Sequence, residues 1–136
     1  MIDSTKYSGK MRQESDLIGT KEIPVEALYG VQSARGFENF KISGKLMNDY
    51  PNFIKGMALT KKGAAVANHK QGKLTDEQFK AISQACDELL EGKHHEFFLS
   101  DMIQGGAGTT VNMNANEVLA NRALEIMGKE HGQYEL

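Results

Sequence analysis

The sequence predicts a mainly α-helical domain with one short β-hairpin or extended segment near residues 11–24. Three observations carry that reading. Apolar residues recur at three- and four-residue spacing over about 51–70, 75–91 and 111–127, the period of a helix with one buried face. Helix-boundary residues sit at the ends of these stretches: Pro51 opens the first, Thr75 precedes the second, and Gly92 and Gly128 follow the second and third. Residues 11–24 lack that spacing and are punctuated by Gly19 and Pro24, as an extended strand pair would be.

Residues 1–10 are polar, small and without periodicity, and are expected to be disordered; residues 11–136 form the folded domain. After the hairpin, residues 25–28 read as one helical turn. Gly30 separates it from a short helix over about 31–40, with Val31, Ala34, Phe37 and Phe40 on one face. The long helix from Pro51 to about Asn68–Gly72 places Phe53, Met57, Thr60, Ala64 and Ala67 on one stripe, with Ile54, Ala58 and Ala65 beside it. Its many alanines permit close approach of another helix. Thr75-Asp-Glu-Gln78 spells a capping box, in which the threonine hydroxyl serves an early N–H and Gln78 reaches back. The buried stripe behind it is Phe79, Ile82, Ala85, Cys86, Leu89 and Leu90. Residues 93–108 read as loop. The last helix, about 111–127, is expected to bury Met113, Leu119, Ala120, Ala123, Leu124 and Met127. Several helices carry apolar residues on more than one face, notably the last with Leu119, Leu124, Ile126 and Met127, and part of that surface is expected to be uncovered and to drive self-association.

Composition narrows the function classes. The 136 residues are one domain's worth, with a formal net charge of −2 and 25 % charged residues of both signs interspersed. No basic stripe points to nucleic acid. No apolar run approaches the ~20 residues that span a bilayer, and the polar start is no signal peptide. The single cysteine, Cys86, forms no internal disulfide and lies on an apolar helix face, so it reads as a buried thiol rather than a nucleophile. Cytoplasmic residence follows as the expectation. Of the four histidines, His94 and His95 are adjacent and diverge, while His69 and His131 are isolated. Neither His-x-x-x-His nor Cys-x-x-Cys spacing occurs, so no metal is expected.

The densest chemical signal is Gln104-Gly-Gly-Ala-Gly-Thr-Thr-Val-Asn-Met-Asn-Ala-Asn-Glu-Val-Leu-Ala-Asn-Arg122. Three glycines allow positive φ and close ligand approach, and Thr109 and Thr110 then feed hydroxyls and backbone N–H groups into a helix start. Such a start receives a carboxylate or phosphate. A glycine-rich turn with threonine caps accounts for the same residues. The loop lacks the Gly-Lys-Ser/Thr ending of a P-loop, and no strand of the dinucleotide-binding pattern precedes it. Asn114, Asn116 and Asn121 read as caps or backbone satisfiers, Glu117 as a partner for a lysine or arginine, and Arg35 and Arg122 as members of ion pairs.

The spelling of this run resembles the first substrate-binding segment of the aspartase/fumarase superfamily. Arg12-Gln-Glu-Ser-Asp-Leu-Ile-Gly-Thr-Lys-Glu-Ile-Pro24, Ala27-Leu-Tyr-Gly-Val-Gln32 and Glu38-Asn-Phe-Lys-Ile-Ser-Gly44 are similar to the same family's amino-terminal signature. Gly-Ala-Gly-Thr where fumarases usually have Gly-Ser-Gly-Thr-Gln, Tyr29 where they usually have tryptophan, and Tyr50-Pro-Asn-Phe-Ile-Lys-Gly-Met57 all look like the aspartase (ammonia-lyase) branch. The likeness implies elimination of ammonia from L-aspartate to give fumarate, by a homotetramer without a redox cofactor. It implies that Thr109 contacts the substrate, with Thr110 and Asn112 as its neighbours. Threonine at 110 departs from the serine common in aspartases but keeps the hydroxyl.

The family's second segment carries a histidine, and its mobile Gly-Ser-Ser-x-x-Met-Pro-x-Lys-x-Asn loop carries the serine base. Neither occurs in these residues, nor does a Gln-Ser-Thr-Asn-Asp run. The chain therefore reads as an amino-terminal domain with no catalytic base, inactive alone, its central helical-bundle and carboxy-terminal domains lying elsewhere. The competing readings are a fumarate hydratase or other lyase of the superfamily, and a stand-alone interaction module without chemistry.

Overall fold

The computed structural model describes residues 7–134. The expectation of disorder over residues 1–10 lies outside the described residues for 1–6. Beyond them, the Ser8 N–H donates to Glu26 at 2.9 Å and Val25 N–H to the Lys10 carbonyl at 3.1 Å. Strands β1 (Met11–Asp16) and β2 (Gly19–Pro24) pair antiparallel, in register from Met11 opposite Pro24 to Asp16 opposite Gly19. Asp16 closes the turn by accepting the N–H groups of Ile18 (2.9 Å) and Gly19 (3.1 Å).

Four helices follow: α1 (Val31–Asn39), α2 (Pro51–Lys70), α3 (Asp76–Leu90) and α4 (Thr109–Ile126). The capping box forms as spelled, Gln78 N–H donating to Thr75 Oγ1 at 3.2 Å and Thr75 N–H to Gln78 Oε1 at 2.9 Å. Helices α2 and α3 pack along one another, and α4 lies between α3 and α1. The core they share includes Ile54, Ala58, Cys86, Leu89, Ala115 and Val118, with Ile23 and Leu28 closing it from the hairpin side. Burial pushes the Cys86 thiol up to about 11, so it is protonated and inert at neutral pH.

Several local expectations are corrected. Residues 25–28 form a turn rather than a helical turn, because their carbonyls serve side chains instead of a ladder. The Arg12 guanidinium donates to the carbonyls of Val25 (3.3 Å) and Ala27 (2.8 Å) and to those of the flanking Pro24 and Tyr29, and Asn121 donates to that of Leu28. Helix α1 buries Val31, Ser33 and Gly36, while Ala34, Phe37 and Phe40 are only half-buried. Helix α2 buries Ile54, Ala58 and Ala65, whereas Phe53, Thr60, Ala64 and Ala67 face solvent. That helix is apolar on more than one side, so periodicity alone does not choose the inward one. Residues 93–108 are not uniformly loop: a single 3-10 turn forms over His95–Phe97, and Phe98, Ser100 and Asp101 are fully buried.

Of the apolar surface expected to be uncovered, α4 leaves little and α2 more. Leu119 and Leu124 are buried, and Ile126 and Met127 are half-buried. Flanked by α1 and α3, α4 is the central helix of the domain. The exposed large apolar side chains include Leu17 and Ile18 at the hairpin tip and Phe53 and Leu59 on α2.

Candidate functional site

Helix α4 starts from a glycine in the left-handed region: Gly108 has φ 72° and ψ 18°, a conformation that costs a side-chain-bearing residue dearly. Its N–H donates to the Gly105 carbonyl at 2.9 Å, closing the loop on itself. The usual N-cap side chain is missing. In its place Gln104, reaching across the loop, accepts the Val111 N–H at 3.0 Å. Asn112 N–H donates to the Gly108 carbonyl at 3.2 Å. Among the described residues, no acceptor takes the N–H groups of Thr109 and Thr110, and neither hydroxyl has a partner. The first turn holds no acidic side chain, so the positive end of the helix dipole faces outward uncompensated.

Thr109 is exposed and Thr110 half-buried. Both line a cleft of about 410 Å³ between α1, the hairpin tip and α4, together with Gln32, Arg35, Gly36 and Asn39. The Thr110 methyl lies where a Cβ on Gly36 would be, which lets α1 approach the start of α4 closely. Arg35 does not offer a free fork to the cleft. It holds Asp16 by two hydrogen bonds, at 2.8 and 3.0 Å, and the Gly19 carbonyl at 2.9 Å. That guanidinium is the main reason the Asp16 carboxyl lies below its usual range. With Arg35 and Asp16 paired to each other, the two threonines add hydroxyl and N–H donors to a cleft that the amides of Gln32 and Asn39 also line.

The sequence-predicted ligand residues are thus brought to one helix turn. Asn112 is on the same turn but outside the lining of this cleft, its Oδ1 accepting Lys61 Nζ of α2 at 2.6 Å. The other asparagines hold structure. Asn114 accepts from Leu99 N–H and Ser100 Oγ and donates to the Phe97 carbonyl, each at 3.1 Å. Asn121 donates to the Leu28 carbonyl and accepts Gly132 N–H, both at 2.8 Å. Asn116 donates to Met113 Sδ at 3.6 Å.

Glu117 corrects an expectation, for its partner is a helix start rather than a lysine or arginine. One oxygen accepts the N–H groups of Gly30 and Ser33 and the Ser33 hydroxyl, and the other accepts Gln32 N–H; the three N–H contacts are each 2.9 Å. Glu14 takes Val31 N–H at 3.0 Å. Two buried carboxylates therefore satisfy the amino-terminal end of α1. A second cleft, of about 610 Å³, runs past Glu117 and Tyr134, but this carboxylate is fully occupied and makes a poor base. Arg122, as expected, pairs within the fold, to Glu88 (2.6 and 2.9 Å) and Glu125 (2.8 Å).

Sequence reasoning missed Gln104 as the cap, Lys61 as the partner of Asn112, and Asp101. Asp101 accepts the N–H groups of Ile42 (3.1 Å), Ser43 (2.9 Å) and Gly44 (3.1 Å), tying the base of the glycine loop to a distant segment. The Ser43 hydroxyl and these N–H groups hold its carboxyl down to about 2. Among the described residues no group of three His, Cys, Asp or Glu side chains is placed to hold a metal ion. None of their helices is long and apolar enough to cross a membrane.

A family model described as Lyase matches residues 19–135. The aspartate ammonia-lyase of Pseudomonas fluorescens is 47% identical over 99% of this chain and 28% of its own length. That of Helicobacter pylori (strain J99) is 54% identical over 92% of the chain and 27% of its own length. The chain thus spans little more than a quarter of these relatives. Among solved structures, a fumarate lyase:delta crystallin from Brucella melitensis superposes with a TM-score of 0.90 at 44% identity, over 93% of this chain and 27% of that one. A class II fumarase from Schistosoma mansoni superposes with a TM-score of 0.83 at 34% identity, over 91% and 26%.

Proposed function

This chain belongs to the lyase family of the aspartase/fumarase superfamily, and we propose on that premise that it is the amino-terminal domain of an aspartate ammonia-lyase. The observation that carries the reading is the start of α4: free hydroxyls and N–H groups on Thr109 and Thr110, in the segment whose spelling matches the family's first substrate-binding segment.

The chemistry explains why donors of this kind are needed. A base removes a proton from the carbon next to the side-chain carboxylate of L-aspartate. The electron pair is delocalised into that carboxylate, which becomes doubly charged. It then returns to form the carbon–carbon double bond as the carbon–nitrogen bond breaks, releasing ammonia and fumarate. No net electrons leave the substrate, so no redox cofactor is required. The barrier is set by the charge building on one carboxylate, and hydroxyls and N–H groups stabilise it without offering a competing base. Thr109 is the first donor, with Thr110 and Asn112 beside it.

The base itself belongs to a segment outside these residues. The active protein is a cytoplasmic homotetramer whose sites draw on several subunits, and the 136-residue chain alone is inactive. Base and positioning groups act as a unit, so a carboxylate-binding segment without a base turns nothing over.

A second reading, fumarate hydratase, is favoured by the likeness to the class II fumarase. The aspartate ammonia-lyases are more similar in sequence, at 47% and 54% against 34%. Thr109→Val in the full-length protein tests the assignment. Losing one donor to the developing charge lowers kcat/KM for L-aspartate by about 10²-fold, and Thr109→Ser restores most of it. Unchanged kinetics in Thr109→Val would remove Thr109 from the site.

A further inference from the structure

We propose that Lys61 is a positioning residue for the substrate-binding segment, acting by fixing the orientation of the Asn112 amide. The inference rests on the reading of residues 109–112 as a carboxylate-binding segment. Lys61 and Asn112 are 51 positions apart and belong to different helices, α2 and α4, yet Lys61 Nζ approaches Asn112 Oδ1 to 2.6 Å. An ammonium can only donate, so the amide must turn its oxygen toward Lys61. Its nitrogen, with two N–H donors, then faces away. Among the described residues that nitrogen has no acceptor, whereas Asn114, Asn116 and Asn121 all spend theirs on protein atoms.

Position sharpens the inference. Asn112 follows Thr109 by three residues, so the two share a helix face and can address one ligand. A freely turning amide would offer an anion its oxygen as readily as its nitrogen. The Lys61 contact removes that option, and the ammonium polarises the amide so that its N–H groups donate more strongly. The neighbouring Lys62 pairs with Asp87 at 2.5 Å, an ordinary surface ion pair, while Lys61 is committed to a neutral amide beside the free hydroxyls. Its charge therefore stays uncompensated by a protein carboxylate among the described residues, which suits a dianionic substrate.

The test is a double-mutant cycle in the full-length enzyme, with L-aspartate as the varied substrate. Lys61→Met should lower kcat/KM by about tenfold, mainly through KM, and Lys61→Arg should recover most of the loss. Asn112→Ala should cost a similar amount, and the double variant should be no worse than Asn112→Ala alone, because Lys61 acts through Asn112. Asn112→Asp keeps the Lys61 contact and the fold but exchanges donors for a negative charge, so KM should rise without a fall in melting temperature. Independent, additive losses would overturn the proposal, as would a lowered melting temperature with unchanged KM in Lys61→Met. Thr109→Val in the same series separates the two failures. If it is impaired while Lys61→Met is normal, only the positioning role falls. If both are normal, the substrate-binding segment is misassigned.

Discussion

Replacing Glu117 by alanine should be the most damaging single polar change in the domain, and its size can be worked from the contacts. The carboxylate is buried at 5% exposure and satisfies three backbone N–H groups and one hydroxyl at the start of α1. Hydrogen bonds to charged groups contribute about 1.5–3 kcal/mol each, but they are not additive where one side chain makes all of them. Losing a helix cap costs about 0.5–2 kcal/mol, and removing one partner of a buried charged cluster costs about 3–5 kcal/mol. The expected loss for Glu117→Ala is therefore about 3–5 kcal/mol, and roughly 10–20 °C in melting temperature for a domain of this size. Glu117→Gln keeps the shape and one carbonyl acceptor, so about half that loss is expected. Urea unfolding followed by circular dichroism measures both, provided the slope with denaturant is unchanged. A loss below about 1 kcal/mol in Glu117→Ala would refute the capping role. So would a stable Glu117→Gln enzyme with abolished turnover, since that would make Glu117 a base rather than a cap.

Two further predictions concern packing and acid stability. Gly36→Ala drives a methyl into the Thr110 side chain and should cost about 1–3 kcal/mol, with Thr110→Ser in the same background restoring part of it; calorimetry on the two variants checks this. The Glu88 carboxyl is held down to about 2, first by the Arg122 guanidinium and then by Gln84 and His94. Its folded value lies below its ordinary 4.5, so its contribution is complete above about pH 4.5 and is lost as pH falls through about 2. Asp101 titrates over nearly the same range, so Glu88→Gln should flatten the acid limb of stability between pH 4.5 and 2 only in part, and an unchanged limb would contradict the assignment.

What the sequence made legible was local. Pro51, the Thr75–Gln78 box and Gly128 mark helix boundaries through bonds made within a few residues, and each boundary lies within two residues of its expected place. The glycine loop and its two threonines were legible for the same reason. Tertiary choices were not. Which side of α2 turns inward depends on α3 and α4, and apolar residues on both sides leave periodicity silent. Glu117 was legible as a helix residue needing a partner, but that partner is a helix start 84–87 positions away. Gln104, Lys61 and Asp101 carry no motif. Their roles exist only once loops and helices far apart in the chain are brought together.

Ammonia release and fumarate absorbance from L-aspartate, measured on this chain and on the full-length protein side by side, test the central claim most directly. The expected result is elimination by the full-length protein and none by the 136-residue chain. Turnover by the chain alone would contradict the placement of the base on another segment, and a full-length protein that leaves aspartate untouched but dehydrates malate would overturn the assignment to ammonia elimination.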